Sequence, residues 1–585
     1  MLGLVGLLAY ISWLVFPSRL PGLALVLLMI VASTARLALK NPTRARSWTA
    51  SALKPEFVAL AAILLLAIGL RFVGIQQSLP YLDNPDEPTT VSAAIKMLQT
   101  GDLNPHFFRW PSLPFYTQLV LSIVQFLAGV ANGTFSNLNQ IVPDSFYLAG
   151  RLLSATLGVA TVFLTYLLGR RFYNGGVGLL GALILAVLPL HSEHSKYVTP
   201  DVMVAFFSTL TLLFAANIYK TGQRKWYLWA GVAAGLTIGT KYNVAVVLVS
   251  VMLAHFLTDK SQRGKLVWLL ATFGVVGGVF LLTTPFILFD LTGFLNEIAF
   301  QVRHYTIEGH GTASAGPSWL AYLGYLFNEA FVYQGIIALA GGILLVLFRQ
   351  RREDWLMLSL PAAGYLFFSS AIVHFSRNLM PLLPPMAILA ACFILWLVAL
   401  PNPLINRARK PRPYEFSDNR QPTTDNRQLP NPSYFILSIR GIVRPTLIVV
   451  ILCVVLFGFS ARNSFETTRY YTQPDSRNQA GVWIVQNIPA GKKMRLERYT
   501  PYLSSSRYPG ADEQRPIGAR PLEWYQAQNY DYLVASSYEY KELIATDLQA
   551  AANYRSVFEK SQLIAQFPGD SPDHPGPTIK IYRIR

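Results

Sequence analysis

Runs of mostly apolar residues recur along this chain, and they constrain its fold more than any other feature. A helix of about 20 such residues crosses the hydrocarbon core of a bilayer. Lipid offers no partner to an open backbone group, so runs of this kind form helices. Fourteen can be read, near 2–16, 20–39, 57–74, 113–130, 146–169, 177–195, 200–219, 226–240, 243–258, 265–289, 322–348, 355–373, 378–400 and 444–460. Hydrophobic residues make up 52% of the 585-residue chain and charged residues only 14%, where soluble domains carry about 25% charged residues. An ordinary soluble enzyme, a disordered chain and a secreted disulfide scaffold are thereby excluded. The expected fold is an α-helical polytopic membrane protein.

The net charge of +18 reads as basic loops held on the cytoplasmic side rather than as a nucleic-acid surface. Those loops are Lys40 to Lys54, Arg170-Arg171, Lys220 to Lys225, Lys260 to Lys265, Arg349 to Arg352 and Arg407 to Arg412. Placing them inside leaves the N-terminus inside and the C-terminus outside, which needs an odd number of spans. Fourteen runs break that parity. The run 113–130 has both flanks on the same side, so about thirteen transmembrane helices are expected. Cys392 and Cys453 lie within apolar runs and offer neither a disulfide framework nor paired zinc spacing.

Five regions follow. Residues 1–56 hold two extra N-terminal segments and a basic cytoplasmic loop. Residues 57–400 form the membrane core, with outer loops 75–112 and 290–318. A Pro/Asn/Arg-rich cytoplasmic linker covers 401–443, the last span covers 444–460, and residues 461–585 form a small extracytoplasmic α/β domain. That domain is expected to have a helix near 476–487 and strands near 493–499, 531–536 and 578–584. Within the first outer loop, residues 88–99 read as an amphipathic surface helix opened by Pro88.

Residues with chemistry concentrate on the outer side. Asp86 and Glu87 stand in Asn84-Pro85-Asp86-Glu87-Pro88. A carboxylate here suits a general base toward a hydroxyl, and it equally suits a helix N-terminus. Asp201 in Thr199-Pro200-Asp201 is open to the same two readings. Lys241, in Gly239-Thr240-Lys241-Tyr242, is either a snorkelling lysine or a phosphate ligand. Arg377 enters a proline-broken span, where a guanidinium is costly unless it meets an anion. His191, Glu193 and His194 on one loop, and His304, Glu308 and His310 on another, are weak candidate metal ligands.

Taken in order, Asn84-Pro85-Asp86-Glu87, Thr199-Pro200-Asp201, Gly239-Thr240-Lys241-Tyr242 and His374-Phe375-Ser376-Arg377-Asn378 with Pro381-Leu382-Leu383-Pro384 form a pattern. It resembles the GT-C superfamily of integral membrane glycosyltransferases, in the branch of protein O-mannosyltransferases and aminoarabinose transferases, over roughly residues 57–400. The resemblance implies a GT-C-like fold. It implies inverting transfer of a sugar from a polyprenyl-phosphate donor to a hydroxyl acceptor, at the outer face of a bacterial inner membrane. On the same footing Asp86 is the general base and Glu87 its acidic neighbour. Lys241 and Arg377 hold the lipid phosphate, and Asp201 is a further cavity acid. Some members use a divalent metal (Mg, Mn or Zn), for which Glu87, Glu308 and His310 are the candidates. The lysine of the aminoarabinose transferases' Lys-Pro-Pro-Leu signature is absent from 106–114. No nucleic-acid partner is expected. The competing class is a lipid or solute transporter, against which stands the lack of a hydropathy repeat. A structural membrane partner that binds through 461–585 is the third reading.

Overall fold

The computed structural model describes residues 55–82, 84–141, 144–309, 316–399, 432–511, 514–571 and 573–585, with backbone alone at 144 and 432–446. The two N-terminal runs and all but the end of the 401–443 linker lie outside the described residues. Among those described, seven helices are long and apolar enough to cross a membrane: Pro55–Phe72, Leu113–Ala131, Ser145–Phe172, Pro200–Thr221, Leu266–Thr283, Ser376–Ala399 and Leu447–Tyr470. Shorter apolar helices at Gly175–Val187, Tyr242–Leu257 and Gly335–Arg349 pack among them. One continuous apolar core runs through the bundle, from Leu60 to Phe457. Large apolar side chains such as Leu270, Leu282 and Leu366 point outward, as a lipid-facing surface requires.

Small residues set the closest helix approach. Gly231, Gly235 and Gly239 lie four apart on helix Arg224–Thr240 and face helix Leu266–Thr283. A Cβ on Gly235 would fall 2.7 Å from Val279 Cβ, and one on Gly231 2.9 Å from the Thr272 carbonyl oxygen. Bare backbone at these positions lets two helices touch, and the chain then turns at Lys241.

The two ends of the bundle differ in chemistry. At one end Arg170 meets Glu56, Lys220 meets Glu353 and Arg352 meets Asp259, which gathers the basic loops on one face. The opposite end carries the long loops and the C-terminal domain, where Asn478 Nδ2 donates to the Leu79 carbonyl at 3.1 Å and Tyr502 N–H donates to Tyr81 Oη at 3.1 Å. Helix Leu113–Ala131 is tied to this loop face along its length. Ser112 N–H reaches Thr284 Oγ1, while Gln118 and Gln125 donate to the carbonyls of Phe146 and Ser145 at the start of the next helix. It pairs with the amphipathic helix Glu87–Thr100 through Ala94, Met97, Phe115 and Leu119.

Pro189 interrupts the apolar run 177–195 after Val187 and cannot donate to the Leu185 carbonyl one turn back. Arg71, fully buried, supplies the missing donors. Its guanidinium reaches the carbonyls of Leu185 (3.3 Å) and Ala186 (3.1 Å), and His191 Nδ1 at 2.9 Å. The last apolar helix is pinned beside this break. Lys196 Nζ donates to the Val73 carbonyl at 2.8 Å and to Thr468 Oγ1 at 3.1 Å, and Tyr471 Oη donates to Glu193 at 3.1 Å. His191 Nδ1 and Glu193 thus belong to a packed polar network.

The C-terminal domain is a four-stranded sheet of order β1-β2-β4-β3, with β1 Met494–Leu496, β2 Tyr532–Ser536, β3 Gln562–Phe567 and β4 Ile579–Arg583. β1 pairs parallel with β2, and the other two pairings are antiparallel. Helices Ser476–Asn487 and Leu548–Lys560 cover its two faces. Strand β3, whose residues are half exposed, has no counterpart in the sequence expectation.

Candidate active site

Four separate chain breaks on the loop face bring together the acids and bases singled out in the sequence. Asp86 occupies the N-cap position of helix Glu87–Thr100, yet its side chain makes no cap bond. An Asx turn fixes it, with Asp86 N–H donating to Asn84 Oδ1 at 2.9 Å. The carboxylate turns instead to Arg377, whose Nη1 is 3.2 Å from Asp86 Oδ2. Both side chains stay partly open, at 21% and 28% exposure. Arg377 also stacks on Phe375, 4.2 Å from the ring centroid.

A second ion pair lies alongside. Asp201, in the first turn of helix Pro200–Thr221, is buried and sits 2.7 Å from Lys241 Nζ. Lys241 ends helix Arg224–Thr240 in extended backbone and adds a 3.3 Å hydrogen bond to Asn378 Oδ1. Asn378 follows Arg377 in the chain, and its amide nitrogen donates to Tyr322 Oη at 2.9 Å. The short 3-10 turn Ser376–Leu382 therefore presents Arg377 to one acid and Asn378 to the cation of the other pair. Asp201 lies within electrostatic reach of Arg377 as well.

Tyr305 completes the cluster and was not singled out in the sequence. Its phenol feels Arg377, Asp201 and Asp86, and burial pushes its pKa above the usual value, so it stays a hydrogen-bond donor. A backbone bond from Ile372 N–H to the Tyr305 carbonyl at 2.9 Å folds this loop back onto the segment before Arg377. The neighbouring His304 and Glu308 suggested this loop as a place for chemistry; the tyrosine between them gave no signal of its own.

Glu87 has a different place from its neighbour. It is fully buried, and both oxygens engage Arg151 at 2.8 and 2.7 Å. Val198 N–H donates to it at 2.9 Å, and Arg151 also donates to the carbonyls of Ile75 and Gln77. It is a strut under Asp86, with both oxygens engaged. Glu308 is exposed and lies 3.7 Å from Arg303, and His310 lies outside the described residues. Among the described residues no group of three His, Cys, Asp or Glu side chains forms a metal site. Of the three candidate ligands that the resemblance allowed, Glu87 and Glu308 are thus each engaged by an arginine.

The arrangement offers one half-open carboxylate beside two cations, each held by an acid and reachable from the loop face. Residues 140–289 match the protein family described as dolichyl-phosphate-mannose-protein mannosyltransferase. That match covers about a quarter of the chain.

The matched segment carries Asp201 and Lys241, whereas Asp86 and Arg377 lie on either side of it. A curated relative, an uncharacterized protein of Aquifex aeolicus (strain VF5), is 32% identical over 115 residues, which is 19% of this chain. The match spans 23% of that relative's length. Among solved structures, ArnT from Cupriavidus metallidurans bound to undecaprenyl phosphate is 15% identical, with 90% of this chain and 98% of that one covered at a TM-score of 0.49. The archaeal oligosaccharyltransferase AglB from Archaeoglobus fulgidus, in complex with an inhibitory peptide and a dolichol-phosphate, is 11% identical, with 85% and 71% covered at a TM-score of 0.48. The same archaeal enzyme in complex with Zn and sulfate is 10% identical, with 86% and 71% covered at a TM-score of 0.44.

Proposed function

We propose that the chain is a membrane glycosyltransferase that moves a sugar from a polyprenyl-phosphate donor to a hydroxyl acceptor, with inversion, on the outer side of a bacterial inner membrane. The observation that carries this reading is the juxtaposition of the Asp86–Arg377 and Asp201–Lys241 pairs at the loop face. A hydroxyl is a poor nucleophile, and a carboxylate that accepts its proton lowers the barrier. Asp86, the more open of the two acids, takes that role. The acceptor oxygen attacks the sugar's anomeric carbon as the bond to the phosphate oxygen breaks. The phosphate leaves with the electron pair, and Arg377 and Lys241 stabilise the charge it gains. Arg377 exchanges Asp86 for the phosphate when the donor binds, which frees the base for the acceptor. Asp201 holds Lys241 in position, and the Tyr305 phenol is placed to donate to the same phosphate.

The test uses purified protein in detergent with a panel of polyprenyl-phosphate sugars and acceptor extracts, reading release of the polyprenyl phosphate. Donor-dependent release that falls about 10²-fold or more in Asp86→Asn, the scale of a lost general base, is expected, and an EDTA arm decides whether a divalent metal is required. Full activity in Asp86→Asn sinks the base assignment. Vectorial movement of lipid or solute in liposomes, with no release from any donor, favours the transporter.

A further inference from the structure

A cleft of about 450 Å³ opens on the loop face away from the two ion pairs. Its walls are the chain leaving the first described span, Phe72 to Ser78, and the chain leaving the last, Tyr471 to Asn478. Gly74 draws the walls together. It has φ +74°, and a Cβ there would lie 2.7 Å from Tyr471 Cβ, so a side chain would wedge the cleft apart. Tyr471 itself is fixed by Tyr197 Oη at 2.7 Å and by Glu193.

The lining has a definite chemistry. Gln76, Gln77, Gln473 and Asn478 bring four carboxamides, with the Ser78 and Thr472 hydroxyls and the rings of Phe72 and Tyr471 beside them. The one acid, Asp475, is buried and doubly bonded to Arg477 at 2.9 and 2.7 Å, so no free charge faces a ligand. The Gln77 carboxamide meets no partner at either its nitrogen or its oxygen while 5% exposed. Buried amides are normally paired, and this one lines the cleft. Its backbone is meanwhile clamped, because the Arg151 guanidinium donates to the carbonyls of Ile75 and Gln77.

We propose that this cleft is a binding site for a neutral saccharide. Carboxamides donate and accept at once and match neighbouring hydroxyls, ring faces cover the apolar side of a sugar, and the volume is that of a small-ligand site. A phosphate or carboxylate ligand finds no cation here. On the transferase reading above, on which this last step rests, the saccharide is part of the acceptor. Arg151, which clamps the cleft wall, also holds Glu87 directly beside Asp86, so the wall and the base share one rigid support.

The test is donor-free. Full-length protein in detergent is mixed with mannobiose, cellobiose or chitobiose, and binding is read by saturation-transfer NMR and titration, with mannose 6-phosphate as the charged control. Binding of at least one disaccharide, weakened at least about tenfold in Gln77→Leu and in Gln473→Ala with the melting temperature kept, supports the site. No disaccharide binding to folded protein, binding that both variants leave unchanged, or equal binding of mannose 6-phosphate overturns it and leaves a water-filled cleft. Asp86→Asn is expected to bind the disaccharide as wild type does while losing donor turnover. Turnover without disaccharide binding removes the cleft and leaves the transferase standing, and binding without turnover does the reverse.

Discussion

Asp86 and Glu87 are chain neighbours with the same charge, and their surroundings give them opposite work. Asp86 is partly solvated, and an ion pair of that kind contributes only about 0–1 kcal/mol, so Asp86→Asn is expected to fold and insert normally while turnover falls. Glu87 and Arg151 are both sealed from solvent. Removing one member of a buried pair strands the other charge at a cost of about 3–5 kcal/mol. Glu87→Gln is therefore expected to lower the melting temperature in detergent and the yield of inserted protein, which a thermal-shift measurement reads directly. Equal melting of the two variants would contradict this division of labour. The sequence could show that two acids stood at a stiff turn, and it left capping and catalysis open. What separates them is Arg151, 64 positions along the chain, and no local pattern announces a partner at that distance. Tyr305 escaped for the same reason, since its place depends on the loop folding back to Ile372. Asp201, Lys241 and Arg377 were legible because charge at the end of an apolar run is costly enough to stand out alone.

Elements carry these side chains only if they pack as tightly as the glycines allow. Helix Arg224–Thr240 ends on Lys241, and its glycine face rests on Leu266–Thr283. Gly235→Val forces the pair apart; overpacking of this kind costs about 1–3 kcal/mol. The expected result is an inserted protein with weaker donor binding, measured as a raised KM, because Lys241 moves off Asp201. A variant with wild-type KM would show that the helix pair does not position the lysine. In the C-terminal domain the strand after Met494 delivers Glu497 into the core, where it accepts from Ile517 N–H, Ser536 N–H and Tyr554 Oη. Burial raises its pKa from 4.5 to about 8. Between those values the folded domain holds a proton that the unfolded chain releases, so stability falls as pH climbs from about 4.5 to about 8. Hydrogen exchange across 494–583 in the full chain is expected to quicken over that window beyond its intrinsic pH dependence, and Glu497→Gln is expected to flatten the excess. The sequence anticipated helix 476–487 after Pro474-Asp475 and three strand-like runs, but β3 lies at the sheet edge with little burial, and an edge strand leaves a weak hydrophobic signature.

At the scale of the whole molecule, charge and chemistry divide between two faces. Apolar run length and loop charge were enough to anticipate the helical bundle, and the helix over 113–130 is tied to the loop face through Ser112, Gln118 and Gln125. Where that face points decides which donors and acceptors can reach Asp86. The basic loops gather at the opposite end, and Lys and Arg in short loops are retained on the cytoplasmic side. On the proposed function the loop face, the ion pairs and the C-terminal domain point outward, to where a polyprenyl-phosphate sugar would be used without a nucleotide. Single cysteines placed in a background of Cys392→Ala and Cys453→Ala test this on intact cells. Lys260→Cys, in an exposed basic loop, is expected to react with a membrane-impermeant maleimide only after permeabilisation. Asp573→Cys, exposed on the C-terminal domain, is expected to react as soon as the outer envelope is passed. The opposite labelling would place the carboxylate and its two cations on the cytoplasmic side, where nucleotide sugars are available, and the donor class would have to be reconsidered with the orientation.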